Sequence, residues 1–380
     1  MTHAPTPRLL SLDAFRGFTI AAMLLVNNPG SWSHVYGPLL HAPWHGWTFT
    51  DWVFPFFVFI SGVAMTLSLT RRAQAGADRA QLLRSTLRRG AVIVLIGLLL
   101  NAVPQFDWET LRWPGVLQRL GLCTMLAAPL AIYLGWRAQA AVGLGLLGLY
   151  TLLMLCVPVP GADGVVRVGS LEKGQDLASY VDRALMDGHL WAQAKTWDPE
   201  GLLSTLPALA SQIAGLLVGH WLATPRSAME KTAWLFVAGL AELWAAEVLA
   251  AWTMPINKSL WTPAYVASTG GWACLVFGVC HWLLDSQPDA AARSAWARRL
   301  HPLVAFGMNA LFLFVASSLL AKLLAFWAPG GQSLKAHAFE GLQGLGLAPI
   351  NASLAFALLF VAAFWGLAQF MHQRRWFITV

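Results

Sequence analysis

The sequence has few charged residues. Asp, Glu, Lys and Arg make up 11% of its 380 residues, whereas hydrophobic residues make up 57%. A soluble domain carries roughly 25% charged residues, so this chain could not cover a water-facing surface of its size. The excess apolar surface must face lipid. The sequence therefore predicts an integral membrane protein, with a single helix bundle as the one domain over residues 1–380.

Cysteine is also scarce. The four cysteines all lie in apolar stretches, and none has a metal-ligand spacing with histidine. They predict small buried side chains rather than a disulfide framework. No H-E-x-x-H motif or comparable ligand cluster occurs either, so no metal is expected.

Long apolar stretches are what the sequence does contain. A helix needs about 20 apolar residues to cross a bilayer. No small-residue cleavage site follows the first stretch, so it is expected to remain as the first helix. The predicted fold class is all-α, a polytopic transmembrane bundle of about ten helices. The candidate spans are 13–29, 49–70, 86–103, 115–134, 138–157, 202–222, 232–252, 263–284, 302–323 and 350–371.

The basic residues set the predicted orientation. A net charge of +7 is compatible with nucleic-acid binding, but these residues cluster in short connections between apolar stretches, as topology signals do. The connections that carry basic residues alternate with connections that carry few, so all of the basic ones lie on the same side of the membrane as Arg8. The positive-inside rule then predicts that both termini are cytoplasmic, with no nucleic-acid partner. The connections expected to face outward are 30–48, 104–114, 158–201, 253–262 and 324–349.

The longest of these connections, 158–201, mixes polar and apolar residues. It is long enough to form a small periplasmic cap or lid. A loosely structured connection is the alternative.

The first apolar stretch ends in a helix-breaking sequence, Asn27-Asn28-Pro29-Gly30. Proline lacks an amide donor and glycine adopts unusual backbone angles. The residues that follow are too polar for a span, yet rich in aromatic side chains. Irregular backbone at membrane depth persists only when it is buried in protein or lines a wet cavity. Residues 27–48 are therefore predicted to form a re-entrant segment that builds a site.

Three histidines lie in this segment: His34, His41 and His45. A histidine there could act as a general base towards an amine or hydroxyl, or become transiently acylated. A nearby asparagine could stabilise an oxyanion. A structural histidine packed among aromatic side chains is the alternative. Asp51, which follows, could cap the next helix or orient a histidine.

Several polar residues lie within or beside apolar spans, where they are costly unless paired. Asp13 and Arg16 are three residues apart and can pair on one helix face, either at the interface or in a site. Asn309 could join helices through hydrogen bonds. The other candidates for substrate or cofactor binding are Trp44, Gln118, Arg119, Asn257, Lys258 and Trp261.

Eight motifs in order along the chain resemble one known family. They are Leu10-Ser-Leu-Asp13-Ala-Phe-Arg16-Gly, Val26-Asn27, Leu40-His41-Ala-Pro-Trp44-His-Gly46, Asp51-Trp-Val-Phe-Pro55, Pro114-Gly-Val-Leu-Gln118-Arg119-Leu, Asp198-Pro-Glu-Gly201-Leu, Pro255-Ile-Asn257-Lys258-Ser-Leu-Trp261 and Gly307-Met-Asn309-Ala. The sequence is similar to the heparan-α-glucosaminide N-acetyltransferase family in its bacterial form.

The resemblance implies transfer of acetyl from cytoplasmic acetyl-CoA, used as a co-substrate, to the amine of a glucosamine-type sugar on the far side. It implies that His41 is catalytic, with Asn27 beside it. The implied location is a bacterial inner membrane, in contact with lipid. The acceptor sugar stays open, and so does a homodimer.

Three rival functions remain at this point. Broken helices with intramembrane charges also mark sugar transporters and flippases. A membrane O-acyltransferase of envelope glycans would make esters instead of amides. A non-catalytic assembly protein would give no reason for the polar residues within the spans.

Overall fold

The computed structural model of the protein describes residues 9–378, so Arg8 lies outside the described residues. This part of the chain is predominantly helical and has almost no sheet, as the sequence predicts. The elements are α1 (Leu10–Asn27), α2 (Phe49–Gln74), α3 (Arg79–Ala102), α4 (Val116–Tyr133), α5 (Trp136–Cys156), β1 (Pro158–Pro160), β2 (Val166–Val168), α6 (Leu177–Met186), α7 (Thr205–Leu222), α8 (Ala228–Trp252), α9 (Pro263–His281), α10 (Ala290–Arg299), α11 (His301–Met308), α12 (Ala310–Phe326), α13 (Leu334–Gly344) and α14 (Pro349–Gln373). Short 3-10 turns cover Gly37–Leu39 and Pro329–Gly331, and a π-helical turn, Trp282–Ser286, extends α9.

Within residues 9–378, eight helices are long and apolar enough to cross a membrane. They are α1, α2, α4, α5, α7, α8, α9 with its π-helical turn, and α14. The prediction of an all-α polytopic membrane protein is therefore confirmed. The remaining two predicted spans differ from simple helices.

The predicted span 302–323 is broken in two. Helices α11 and α12 meet at Asn309 with a bend of 82°, and together they would count as a ninth span. The predicted span 86–103 falls within α3, whose residues 79–89 carry four arginines. The apolar part that remains, 90–102, is shorter than the about 20 residues that a bilayer requires.

Helix α1 lies at the centre of the bundle, where α2, α9, α11, α12 and α14 contact it. Its crossing with α11 is very close, because Gly17 faces the carbonyl of Leu303 and Gly307 faces the carbonyl of Asp13. Any side chain at either glycine would collide with backbone. This crossing fixes the position of the α1 residues that lead into the segment 28–48.

All five connections predicted to face outward contact one another at one end of the bundle. The segment 324–349 joins 30–48 through the stacked rings of His34 and Phe339. Three hydrogen bonds connect the other four segments: the Trp113 amide donates to the His189 carbonyl (3.0 Å), Trp44 Nε1 donates to the Leu171 carbonyl (2.8 Å), and the Gly46 amide donates to the Ile256 carbonyl (2.8 Å).

The segment 158–201 has regular structure. Strands β1 and β2 pair in antiparallel register, with Pro158 opposite Val168. The side chain of Asp176 caps α6. Arg183 of this helix donates to the carbonyls of Gly174, Thr196 and Pro160. One guanidinium thus holds three parts of the segment together, so it is not a loosely structured connection.

Candidate active site

His41 is hydrogen-bonded to Asp51 in the irregular segment between α1 and α2. His41 Nδ1 lies 2.6 Å from Asp51 Oδ1. The aspartate side chain is 1% exposed and the histidine side chain is 49% exposed. Asp51 therefore anchors one ring nitrogen while about half of the histidine side chain stays exposed, which is the arrangement of a histidine held by a carboxylate for proton transfer.

Asp51 is positioned by the start of α2. Thr48 and Asp51 form a capping box, in which Asp51 Oδ2 accepts from the Thr48 amide at 2.9 Å. The same oxygen accepts from the Ala42 amide at 3.0 Å. Capping the helix and orienting a histidine, which the sequence left as alternatives, are both roles of this one side chain.

Lys258 reaches His41 from the segment 253–262. Its Nζ atom lies 3.1 Å from His41 Nε2 and 3.2 Å from Nδ1. The turn that carries it is fixed by Asn257, which is buried and accepts from the Leu260 amide at 2.9 Å. Asn257 Nδ2 also lies 3.3 Å from His45 Nδ1. This turn brings two predicted residues, Asn257 and Lys258, to the histidine segment.

A buried ion-pair group lies beside Lys258. Arg112 forms a bidentate pair with Asp198, at 2.8 and 2.6 Å, and also contacts Glu200 at 2.7 Å. Burial by itself raises the pKa of Glu200, but the charges of Arg112 and Lys258 outweigh burial and hold the pKa below its usual value. Burial lowers the pKa of Lys258, and Glu200 and Asp51 oppose part of that shift.

The sequence reasoning did not identify Glu200 and Asp198 as site residues. Both belong to the motif Asp198-Pro-Glu-Gly201, and two carboxylates in so short a turn were the available signal. The sequence does not show that both carboxylates contact Arg112, because Arg112 is 86 positions from Asp198 and 88 positions from Glu200 along the chain.

Arg119 is buried below this group. Its guanidinium donates to the carbonyls of Pro199 (3.0 Å) and Gly201 (2.7 Å) and to Ser204 Oγ. It also lies 5.1 Å from the ring centre of Trp261, a cation–π contact. Arg119 and Trp261 therefore support the turns that carry Glu200 and Lys258.

Trp44 connects the histidine segment to 158–201. Besides its hydrogen bond to Leu171, its ring packs edge-on against Trp197 at 5.1 Å, and Lys173 Nζ lies 5.5 Å from the ring centre. Trp44 is thus placed between the candidate site and the outer segment.

Asn27 lies at another feature, a cavity of about 200 Å³ between α1 and α12. Its mixed lining suits a chain that carries both apolar and polar groups. The lining residues are Met23, Leu24, Asn27, Asn28, Phe314, Ser317, Ser318 and Ala321.

The remaining predicted residues are not part of the His41 cluster. Arg16 pairs with Asp13 at 3.3 Å and donates to the Gly307 carbonyl at 3.3 Å, at the opposite end of α1. Asn309 holds the C-terminal segment, donating to the Trp376 carbonyl (3.0 Å) and accepting from the Ile378 amide (2.9 Å). Gln118 packs against the α3–α4 contact.

No group of three or more His, Cys, Asp or Glu side chains in residues 9–378 is arranged to hold a metal ion. The four thiols are free, and Cys156 is exposed where the sequence predicts a buried side chain. The other three are buried, as expected.

The fold and the site define a polytopic α-helical membrane protein with a histidine–carboxylate pair at one end of its bundle. Comparison with known proteins narrows this class. Residues 8–181 match the model of a family described as heparan-alpha-glucosaminide N-acetyltransferase, catalytic. The chain is 28% identical over 393 residues to heparan-alpha-glucosaminide N-acetyltransferase of Homo sapiens, and 28% identical over 392 residues to that of Mus musculus.

These matches agree with the resemblance carried by the eight motifs: the chain is similar to the heparan-α-glucosaminide N-acetyltransferase family. Each alignment covers 90% of this chain and 58% of the relative. The chain therefore spans less than two thirds of the length of the curated relatives it matches.

Proposed function

We propose that this protein transfers the acetyl group of acetyl-CoA to the amine of a glucosamine-type sugar. The observation that carries the proposal is the 2.6 Å contact between His41 Nδ1 and the buried carboxylate of Asp51, with the histidine side chain 49% exposed. The names of the relatives support the same reaction class.

His41 is the proposed catalytic base. Because Asp51 binds Nδ1, Nε2 is the nitrogen that receives the proton of the sugar amine. The amine nitrogen attacks the thioester carbonyl carbon, the C–S bond breaks, and His41 returns the proton to the thiolate of CoA. Asp51 stays ionised and stabilises the imidazolium that forms between the two steps.

Asn27 is proposed to act on the donor side. Its cavity between α1 and α12 would admit the pantetheine arm, with its apolar and amide parts, and the Asn27 amide would donate to the thioester oxygen. CoA phosphates would meet the basic connections at the other end of the bundle, where Asp13, Arg16 and Asn309 lie. Gln118 is proposed to act indirectly, by supporting the contact between α3 and α4.

The acceptor side is proposed to be the outer end. Trp44, Asn257, Lys258 and Trp261 border or support it, and 158–201 would act as a cap on the single domain 1–380. Both termini are then cytoplasmic, in a bacterial inner membrane. The contacts among all five outward-facing connections support this alternation of loops.

Purified full-length protein, incubated with labelled acetyl-CoA and a panel of amino sugars, tests the proposal. An amide product resists hydroxylamine, whereas the ester made by an O-acyltransferase is cleaved. His41→Ala is expected to lower kcat by about 10²- to 10⁴-fold. His337→Ala, at an exposed histidine of α13, is the matched control and should retain activity.

Full acetyl transfer by His41→Ala would exclude the catalytic assignment. Sugar uptake by vesicles in the absence of acetyl-CoA, without acetylated product, would instead establish a transporter.

A further inference from the structure

The amine of Lys258 lies where an acceptor amine would have to be. His41 Nδ1 is bound by Asp51, so Nε2 is the nitrogen that can take a proton. Lys258 Nζ lies beside both ring nitrogens, 3.1 Å from Nε2 and 3.2 Å from Nδ1. The distance to Nε2 lies within the hydrogen-bonding range required between a general base and the proton it removes. The chain thus offers its own primary amine to the base.

Lys258 is held there by its backbone. The Trp261 amide donates to the Lys258 carbonyl at 3.1 Å, and the Asn257 side chain closes the same turn. Trp261, which follows, has a positive φ of 52° and is fully buried, with its indole bonded to Ser211. The fixed turn leaves only the torsions of the lysine side chain between the backbone and the base, which favours an intramolecular reaction.

The surroundings of Lys258 also make its amine easier to deprotonate. Burial lowers the pKa of Lys258, and the carboxylates of Glu200 and Asp51 reduce that shift without reversing it. A neutral lysine amine is a nucleophile, whereas an ammonium is not. Lys195 in the outer segment is exposed and provides a comparison within the same molecule.

We propose that Lys258 is a self-acetylation site, which the protein modifies when donor is bound and no acceptor sugar is present. The inference rests on the proposed function, because it requires a thioester delivered to His41. The lysine nitrogen bonds to the thioester carbonyl carbon as the C–S bond breaks. His41 Nε2 takes the amine proton and gives it to the CoA thiolate, so that the products are an acetyl-lysine amide and CoA thiol.

Acetylation of Lys258 would inhibit acetyl transfer to the sugar. Acetylation removes the positive charge of Lys258 and adds bulk beside Nε2, so a modified molecule loses access for the sugar amine. A bound acceptor sugar would occupy the same space and protect Lys258. Self-acetylation would therefore connect activity to the supply of acceptor.

The test is a time course with the purified full-length protein, carbon-13-labelled acetyl-CoA and no sugar, followed by proteolysis and mass spectrometry. Label on Lys258 is expected to appear about a hundredfold faster than on Lys195, since proximity to a base contributes at least that much. Added glucosamine should slow labelling of Lys258 only. His41→Ala should reduce the Lys258 rate to that of Lys195.

Hydroxylamine treatment separates two products, because an acetyl-lysine amide survives it and an acetyl-imidazole on His41 does not. If His41→Ala fails to fold, sugar protection in the wild-type protein decides the matter by itself. Equal labelling of Lys258 and Lys195, by a protein that acetylates glucosamine, would overturn the inference and leave the proposed function standing. Absence of label on both glucosamine and Lys258 would overturn the proposed function, and the inference with it.

Discussion

Asp51 binds His41 through one carboxylate oxygen and the backbone through the other. Oδ1 lies 2.6 Å from His41 Nδ1, while Oδ2 accepts from the amides of Ala42 and Thr48 at 3.0 and 2.9 Å. Two amide donors thus fix the plane of the carboxylate, and the carboxylate fixes the ring. The start of a helix is used here to orient a histidine.

Asp51→Asn should separate the two roles of this residue. Asp51 is the third residue of α2, and an asparagine oxygen there can still accept from the Thr48 and Ala42 amides, but it cannot stabilise a positive imidazole as a carboxylate does. We expect kcat to fall by about 10²- to 10⁴-fold with little change in melting temperature. Steady-state kinetics of acetyl transfer and a thermal melt measure the two effects.

The control is Asp163→Asn, which removes one half of an exposed ion pair with Arg167. It should change neither kcat nor melting temperature. Undiminished kcat in Asp51→Asn would show that the charge of this residue has no part in the reaction.

Arg119→Lys is predicted to destabilise the protein. The guanidinium satisfies two carbonyls and a hydroxyl and also stacks on Trp261. A lysine ammonium is a point charge and cannot make this set of contacts. The loss should be about 1–3 kcal/mol of unfolding free energy, with faster proteolysis near 198–204.

Arg167→Lys, in the exposed segment between β1 and α6, is the matched substitution. Its melting temperature should equal that of the wild type. Equal melting of Arg119→Lys and wild type would mean that the buried guanidinium does not hold the turn.

Gly307→Ala should disrupt the crossing of α1 and α11. A Cβ at this position would lie 1.8 Å from the carbonyl oxygen of Asp13, which belongs to a helix backbone and cannot move alone. Overpacking of this kind costs about 1–3 kcal/mol, and we expect a lower melting temperature together with reduced activity.

Gly148→Ala on α5 is the control, because a Cβ there meets no atom within 4 Å. It should be neutral or slightly stabilising, since alanine favours a helix over glycine by about 1 kcal/mol. Similar behaviour of the two variants would contradict the close crossing.

Stability should fall with rising pH because of Asp182 in α6. Burial raises the pKa of Asp182 to about 7 from an ordinary value of 3.8. Between these values the folded protein keeps a proton that the unfolded chain has lost. The unfolded state then binds fewer protons, so the free energy of unfolding decreases by at most about 1.4 kcal/mol per pH unit.

Asp182→Asn removes this dependence and keeps an acceptor for the Leu202 amide, which lies 2.9 Å away in the native protein. The melting temperature of the variant, relative to wild type, should rise between about pH 4 and about pH 7. Asp187→Asn, just beyond the same helix, should show no such trend. A constant difference across this range would rule out a buried titrating carboxyl at residue 182.

Much of the fold follows from the order of residues along the chain. The length of the apolar stretches predicted ten spans, because a bilayer requires a run of apolar residues. Eight of these ten are single helices long and apolar enough to cross a membrane. The helix break after Asn27 followed from proline and glycine, and α1 ends at Asn27. The bend at Asn309 was not predicted, because its apolar run continues through the break without a proline or glycine at that residue.

The candidate site was predicted only in part. His41 and Asp51 are ten positions apart, so local turn geometry brings them together. Asn27 is closer to His41 in sequence than Lys258 is, yet it lines the cavity with α12. Lys258 is 217 positions from His41 and contacts its ring. The catalytic roles of His41 and Asn27 remain predictions.

Composition and motif order thus determined by themselves that this chain is a helical membrane protein, that it resembles the heparan-α-glucosaminide N-acetyltransferase family, and that His41 lies in an irregular segment. Only the tertiary structure decided that Lys258 contacts that histidine, that Glu200 lies near Lys258, that Arg119 supports their turns, and that Asn309 holds the C-terminal segment. The physical reason is that hydrophobicity and turn residues act locally, whereas these contacts depend on how closely and at what angle the helices pack.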